Sequence, residues 1–126
     1  MAKSEVRRTP LLRDQQRALH AYEVVESVPK TQRKDYKIAV NNLGANILRG
    51  GLCAALAAVQ RLDSRGSLLL SHIATANVPG LERAKTDDLA KGVRELDADA
   101  YMIATREILQ VAAWLKRAVQ ATFGGE

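Results

Sequence analysis

The stretch DADAYMIATREILQVAAWLKRAVQATFGG, residues 97–125, decides the fold. Tyr101, Ala104, Ile108, Ala112, Leu115 and Val119 recur every three or four residues. That is the period of one face of an α-helix and not of a strand. Asp97 and Asp99 stand where a helix start favours acids, Lys116 and Arg117 lie near its end, and Gly124-Gly125 closes it. The stretch therefore predicts one long C-terminal helix with a continuous apolar stripe.

Working back toward the N-terminus, the same period repeats in shorter runs. Leu89, Val93 and Leu96 follow Thr86-Asp87-Asp88, which reads as a cap with acids in the first turn. Asn77-Val78-Pro79-Gly80 is a turn, and residues 78–85 read as a loop. Ser64 through Asn77 reads as a short helix around Leu68, Leu69, Leu70 and Ile73. Leu52, Leu56 and Val59 form a stripe that ends near Asp63. Tyr36, Val40, Leu43 and Ile47 form another, with Thr31 as its expected cap and Gly50-Gly51 as its break. Thr9-Pro10 reads as the opening of a first helix carrying Leu12, Leu19, Tyr22 and Val25, with Pro29 ending it. No alternating strand pattern, internal repeat or low-complexity segment interrupts this series. The prediction is an all-α fold, a compact bundle of five to six helices forming one domain over 1–126, with residues 1–8 and 124–126 expected to be flexible.

Composition agrees. Hydrophobic residues make up 47% of the 126 and aromatics only 4%, so the core must be aliphatic, which suits closely packed helices. The single cysteine, Cys53, lies in the apolar run Leu52–Leu56 and reads as core packing. The first residues lack the apolar stretch of a signal peptide, and no run reaches the roughly 20 apolar residues that cross a bilayer. A cytoplasmic protein is expected.

The net charge is +5 and it is unevenly placed. Residues 1–50 hold ten Lys/Arg against five acids, whereas residues 51–126 hold nine of each. A basic field concentrated in this way attracts polyanions; the bland alternative is a solvated face that keeps the protein soluble. The candidate phosphate contacts are Arg13 and Arg17, four apart on one helix face, then Lys30, Arg33, Lys34 and Lys37 at the head of the next helix, and Arg49 near its end. Lys116 and Arg117 rank after them. Asp14, Glu23, Glu26 and Asp35 are placed to pair with some of these cations, and such exposed pairs are worth about 0–1 kcal/mol. Few aromatics flank the clusters, so contact to a phosphate track is expected in preference to base stacking.

Catalytic and metal chemistry find little support. His20 and His72 have no second donor at ligand spacing and read as one surface and one partly buried histidine. Asp87-Asp88 and Asp97/Asp99 sit where helices begin, and capping accounts for them. No phosphate-loop pattern surrounds Gly50-Gly51. No enzyme activity, cofactor or metal is expected.

Three segments resemble one family. They are Arg13-Asp14-Gln15-Gln16-Arg17-Ala18; the run Lys34-Asp35-Tyr36, Leu43 to Arg49 and Gly51 to Leu56; and Tyr101 to Ala104 followed by Trp114-Leu115-Lys116-Arg117-Ala118. Their order and spacing, from about Arg13 to Val119, are similar to those of the small helical subunit of the type III-B CRISPR RNA-silencing complex, the Cmr small subunit. The resemblance implies a non-catalytic antiviral-defence subunit, several copies of which stack as a minor filament. Its implied partners are the backbone and large subunits, copies of itself, and guide and target RNA met by the basic faces, with no membrane and no small molecule. Tyr36, Leu52, Leu56 and Trp114 are expected in the core. The competing expectation is a helical protein–protein adaptor without RNA contact.

Overall fold

The computed structural model describes residues 11–124. Among them lie six α-helices, two 3₁₀ turns and no strand. The helices are α1 (Arg13–Glu26), α2 (Arg33–Gly50), α3 (Leu52–Gln60), α4 (Ser64–Ala74), α5 (Leu89–Arg94) and α6 (Ala98–Phe123). The 3₁₀ turns, Lys30–Gln32 and Thr86–Asp88, lead into α2 and α5. The expected all-α bundle with a long last helix is what forms. The Thr9-Pro10 opening of the first helix lies outside the described residues.

Helix α6 organises the molecule. The Asp97 carboxylate accepts the Ala100 backbone N–H at 2.8 Å, satisfying one donor that a helix start leaves unpaired. From there Ala104, Ile108, Val111, Ala112, Leu115, Ala118, Val119 and Phe123 are buried along one side. That side packs mainly on α1 and α2, while α3 and α4 pack on α2 and on each other. Arg13 meets Glu107 near one end of α1, and Arg33, beyond its other end, meets Phe123. Helices α1 and α6 therefore run in the same direction.

The expected stripe of α2 is correct: Tyr36, Val40, Leu43 and Ile47 are all buried. Its expected cap is not. Thr31 falls inside the 3₁₀ turn, and Gln32 precedes α2 without a side-chain capping bond. Asp88 likewise precedes α5 without one. The stripe predicted for α1 holds in its second half, where Val25 is buried and Tyr22 packs partly on the core, and fails in its first. Leu12 and Leu19 are 71% and 55% exposed, and the buried positions are Arg17, Ala21 and Val25. An arginine occupies the place a hydrophobic residue would mark, so the apolar pattern alone misplaces the first half of the buried face.

Two glycines divide the turns from the packing. Gly51 joins α2 to α3 at φ +92°, a conformation L side chains rarely adopt. Gly66, in α4, is different: a Cβ there would run into the Val59 carbonyl oxygen and lie 3.1 Å from the Leu62 Cβ. The close crossing of α3 and α4 thus depends on a missing methyl group. Gly66→Ala should destabilise the fold by about 1–3 kcal/mol through overpacking, despite alanine's better helix propensity. Gly44, inside α2, has nothing within 4 Å of the same position. Gly44→Ala should stabilise by about 0.5–1 kcal/mol. Urea unfolding of the two variants should therefore give shifts of opposite sign.

Candidate nucleic-acid interface

The head of α2 gathers the densest positive charge. Lys30, Arg33, Lys34, Lys37, Ile38 and Phe123 line a groove of about 410 Å³. The turn after Pro29 presents Lys30, and one helical turn separates Lys34 from Lys37 and Ile38. Phe123 arrives from the other end of the chain because α6 ends here. Its ring lies under Arg33, whose guanidinium carbon is 4.8 Å from the ring centroid, and 6.4 Å from Tyr36. Among the described residues, no carboxylate lines the groove.

The Arg13–Arg17 pair does share a helix face as the spacing predicts, but that face turns inward. Both guanidiniums bond the same carboxylate oxygen of Glu107, Arg13 at 3.1 Å and Arg17 at 2.8 Å. Arg17 is only 5% exposed and also donates to the Ala76 backbone carbonyl. A guanidinium already committed to two internal acceptors and shielded from solvent does not present itself to a phosphate. The expectation that Arg17 contacts RNA is therefore corrected: it is an internal strut between α1, α6 and the end of α4. Arg13 stays more than half exposed but shares its charge with Glu107. Burial alone would raise the Glu107 carboxyl. The hydrogen bonds from Arg17 and Arg13 outweigh it and hold the group below its ordinary range.

The remaining cations are spread out. Arg49 is exposed, twelve residues from Lys37 and so about 18 Å along α2. Lys116 and Arg117 are exposed on α6. Arg117 lies over the Trp114 ring at 4.7 Å, and the Trp114 indole N–H donates to Asp14 at 3.2 Å. Tyr36, Leu52 and Leu56 are buried as expected, whereas Trp114 is only half-buried at the α1–α6 seam.

The histidines, distant in sequence, converge. The Thr75 hydroxyl lies 3.1 Å from His20 Nε2 and donates to the His72 carbonyl. The buried His72 ring meets the Tyr36 hydroxyl at 2.7 Å through Nδ1. Burial, then the proximity of His20, pushes His72 down to about 4; burial, then Arg17, lowers His20. The backbone N–H of Cys53, itself half-buried, donates to the Tyr101 hydroxyl at 3.0 Å. No group of three or more potential metal-ligating side chains occurs among the described residues, and no described helix is long and apolar enough to cross a membrane.

Glu107 and Phe123 were not singled out by the sequence. A signal for Glu107 was present: it is the one acid between Ala100 and Phe123, and it stands three residues after Ala104 and four before Val111 on the buried flank. Phe123 carried one for burial, standing four residues after Val119 on the same stripe, but none for its place beside Arg33.

In class the protein is a small all-helical bundle that exposes a cationic groove and several large apolar side chains, including Leu48 at 77% and Met102 at 64%. Comparison with known proteins makes the class specific. Residues 13–122 match the model of the CRISPR-associated protein family Cas_Cmr5, and the chain belongs to that family. It is similar to the CRISPR system Cmr subunit Cmr5 of Thermus thermophilus, 34% identical over 110 residues that cover 86% of this chain and 94% of that one. The CRISPR system Cmr subunit Cmr5 of Thermotoga maritima is 30% identical over 112 residues, covering 84% of this chain and 81% of its own. The crystal structure of a CRISPR-associated Cmr5 family protein from Thermus thermophilus superposes with a TM-score of 0.78 at 31% identity, over 89% of this chain and 98% of that one.

Proposed function

We propose that this chain is a non-catalytic structural subunit of a type III-B CRISPR effector complex in the cytoplasm. In this reading, copies stack as a minor filament beside the backbone and large subunits, and their basic faces contact guide and target RNA. The observation that carries the RNA contact is the cluster of Lys30, Arg33, Lys34 and Lys37 around one groove, in a chain whose family is Cmr5. Arg49, Lys116 and Arg117 extend the positive surface beyond it. Arg13 contributes less, because Glu107 takes part of its charge, and Arg17 is left out. The exposed Leu12, Leu19, Leu48 and Met102 suit contacts with protein neighbours.

Lysine and arginine contacts to phosphates release counterions, so affinity falls steeply with salt. The test is binding of the purified protein to a guide–target RNA duplex with single-stranded tails, at low and moderate salt. The comparison is Lys30→Glu/Lys34→Glu/Arg49→Glu, three exposed positions. The wild type should bind with a clear salt slope. The variant should bind at least about tenfold more weakly, with a shallower slope. Its circular dichroism should be unchanged. Wild-type protein that co-purifies with a backbone subunit but binds no RNA at low salt would leave an adaptor role in place of RNA contact.

A further inference from the structure

The groove at the head of α2 has a feature that phosphate contact does not use. Ile38 lines it and is 51% exposed, and Phe123 lines it from within the core at 2% exposed. The concavity is therefore largely apolar inside and cationic at its rim. A perfect duplex offers phosphates and sugars outward and keeps its bases stacked within, so it has no group to place against an aliphatic side chain in a recess. An unpaired nucleotide offers both a phosphate and the flat apolar face of a base. Bases stack on guanidinium planes as well as on aromatic rings, and Arg33 is held over the Phe123 ring at 4.8 Å. The groove volume of about 410 Å³ lies within the range of pockets that take small organic groups.

We propose that this groove receives one unpaired RNA base, set against Ile38 and Arg33, while Lys30, Lys34 and Lys37 meet the flanking phosphates. The inference rests on the RNA-contact reading above and narrows it from RNA in general to a single-stranded nucleotide at one place. It also reverses the expectation, drawn from the scarcity of aromatics near the basic clusters, that bases play no part. Folding brings the ring to the cluster from the opposite end of the chain.

The test is a titration of the full chain, methyl-labelled at its five isoleucines, with an unstructured single-stranded RNA, a blunt RNA duplex of equal length and an abasic ribose-phosphate oligomer. With the single strand, the Ile38 methyl should move upfield in the ring current of the base. The abasic oligomer and the duplex should leave it in place. The single strand should bind about tenfold tighter than the abasic oligomer, in the range of one stacked base. Ile38→Ser, at an exposed position, should abolish that difference and keep the salt slope. Lys30→Glu/Lys34→Glu should weaken all three probes. Equal binding of the single strand and the abasic oligomer, with the salt slope intact, would overturn the base site and leave the RNA reading standing. No binding of any probe at low salt would overturn both. An Ile38 shift produced only by an acidic, leucine-containing peptide would make the groove a protein-docking site, and the base site would again fall.

Discussion

Glu107→Ala should be the most damaging single substitution at the α1–α6 seam, costing about 3–5 kcal/mol of folding stability. The Arg17 guanidinium is buried and its Nε has no hydrogen-bond partner, so its charge depends on the Ala76 carbonyl and on Glu107. Removing the carboxylate leaves that charge buried and uncompensated. Against a total stability of about 5–15 kcal/mol for a small domain, the loss is large, and the melting temperature should fall by on the order of 15 °C. The reverse truncation should be milder. Arg17→Met keeps most of the buried volume, and Glu107 retains its bond to Arg13 at 3.1 Å, so a cost of about 1–2 kcal/mol is expected. The double variant Arg17→Met/Glu107→Leu, which removes both charges, should be more stable than Glu107→Ala alone, because no buried charge is stranded. Thermal and urea unfolding of the three proteins checks the order. Equal losses in the two single variants would show that the pair is not sensed as a buried charge.

The same seam explains what the sequence hid. Helices α2 and α6 were legible because their buried positions are aliphatic or aromatic and fall on one stripe. Helix α1 was legible as a helix, yet its inward face was not, because Arg17 holds a core position four residues before Ala21 and eight before Val25. Hydropathy counts an arginine as solvent-facing, and partners distant in sequence, Glu107 at 90 residues and the Ala76 carbonyl at 59, make its burial tolerable. The candidate interface divides along the same line. Lys30, Arg33, Lys34 and Lys37 are neighbours in the chain, so local spacing sufficed to find them. The apolar wall that Phe123 gives them is a product of tertiary packing and has no local signature. The approach of His20 to His72 through Thr75 is likewise tertiary, set where α1 passes the residues that follow α4.

That histidine arrangement has a consequence for pH. Burial raises the Tyr36 hydroxyl above its ordinary range, so the tyrosine keeps its proton and shares a hydrogen bond of 2.7 Å with His72 Nδ1. Burial also favours the neutral form of the His72 imidazole. Its pKa is about 4 in the fold against 6.5 for an ordinary histidine. Between these values the unfolded chain binds a proton that the folded chain refuses. Stability is therefore fully present above about pH 6.5 and is lost as pH falls toward 4, by up to about 3 kcal/mol. His20, also lowered, acts in the same sense. Glu107, held low by its arginines, adds a loss of the same sign further into acid. The melting temperature should thus be flat from pH 8 to 7 and fall progressively below 6.5. Tyr36→Phe/His72→Leu removes donor and acceptor together, so no polar atom is stranded. Its melting temperature at neutral pH will reflect the new packing, but its drop between pH 7.5 and 5 should be clearly smaller than that of the wild type. An unchanged drop would place the acid sensitivity on other groups and would mean that the buried imidazole accepts its proton in the folded state.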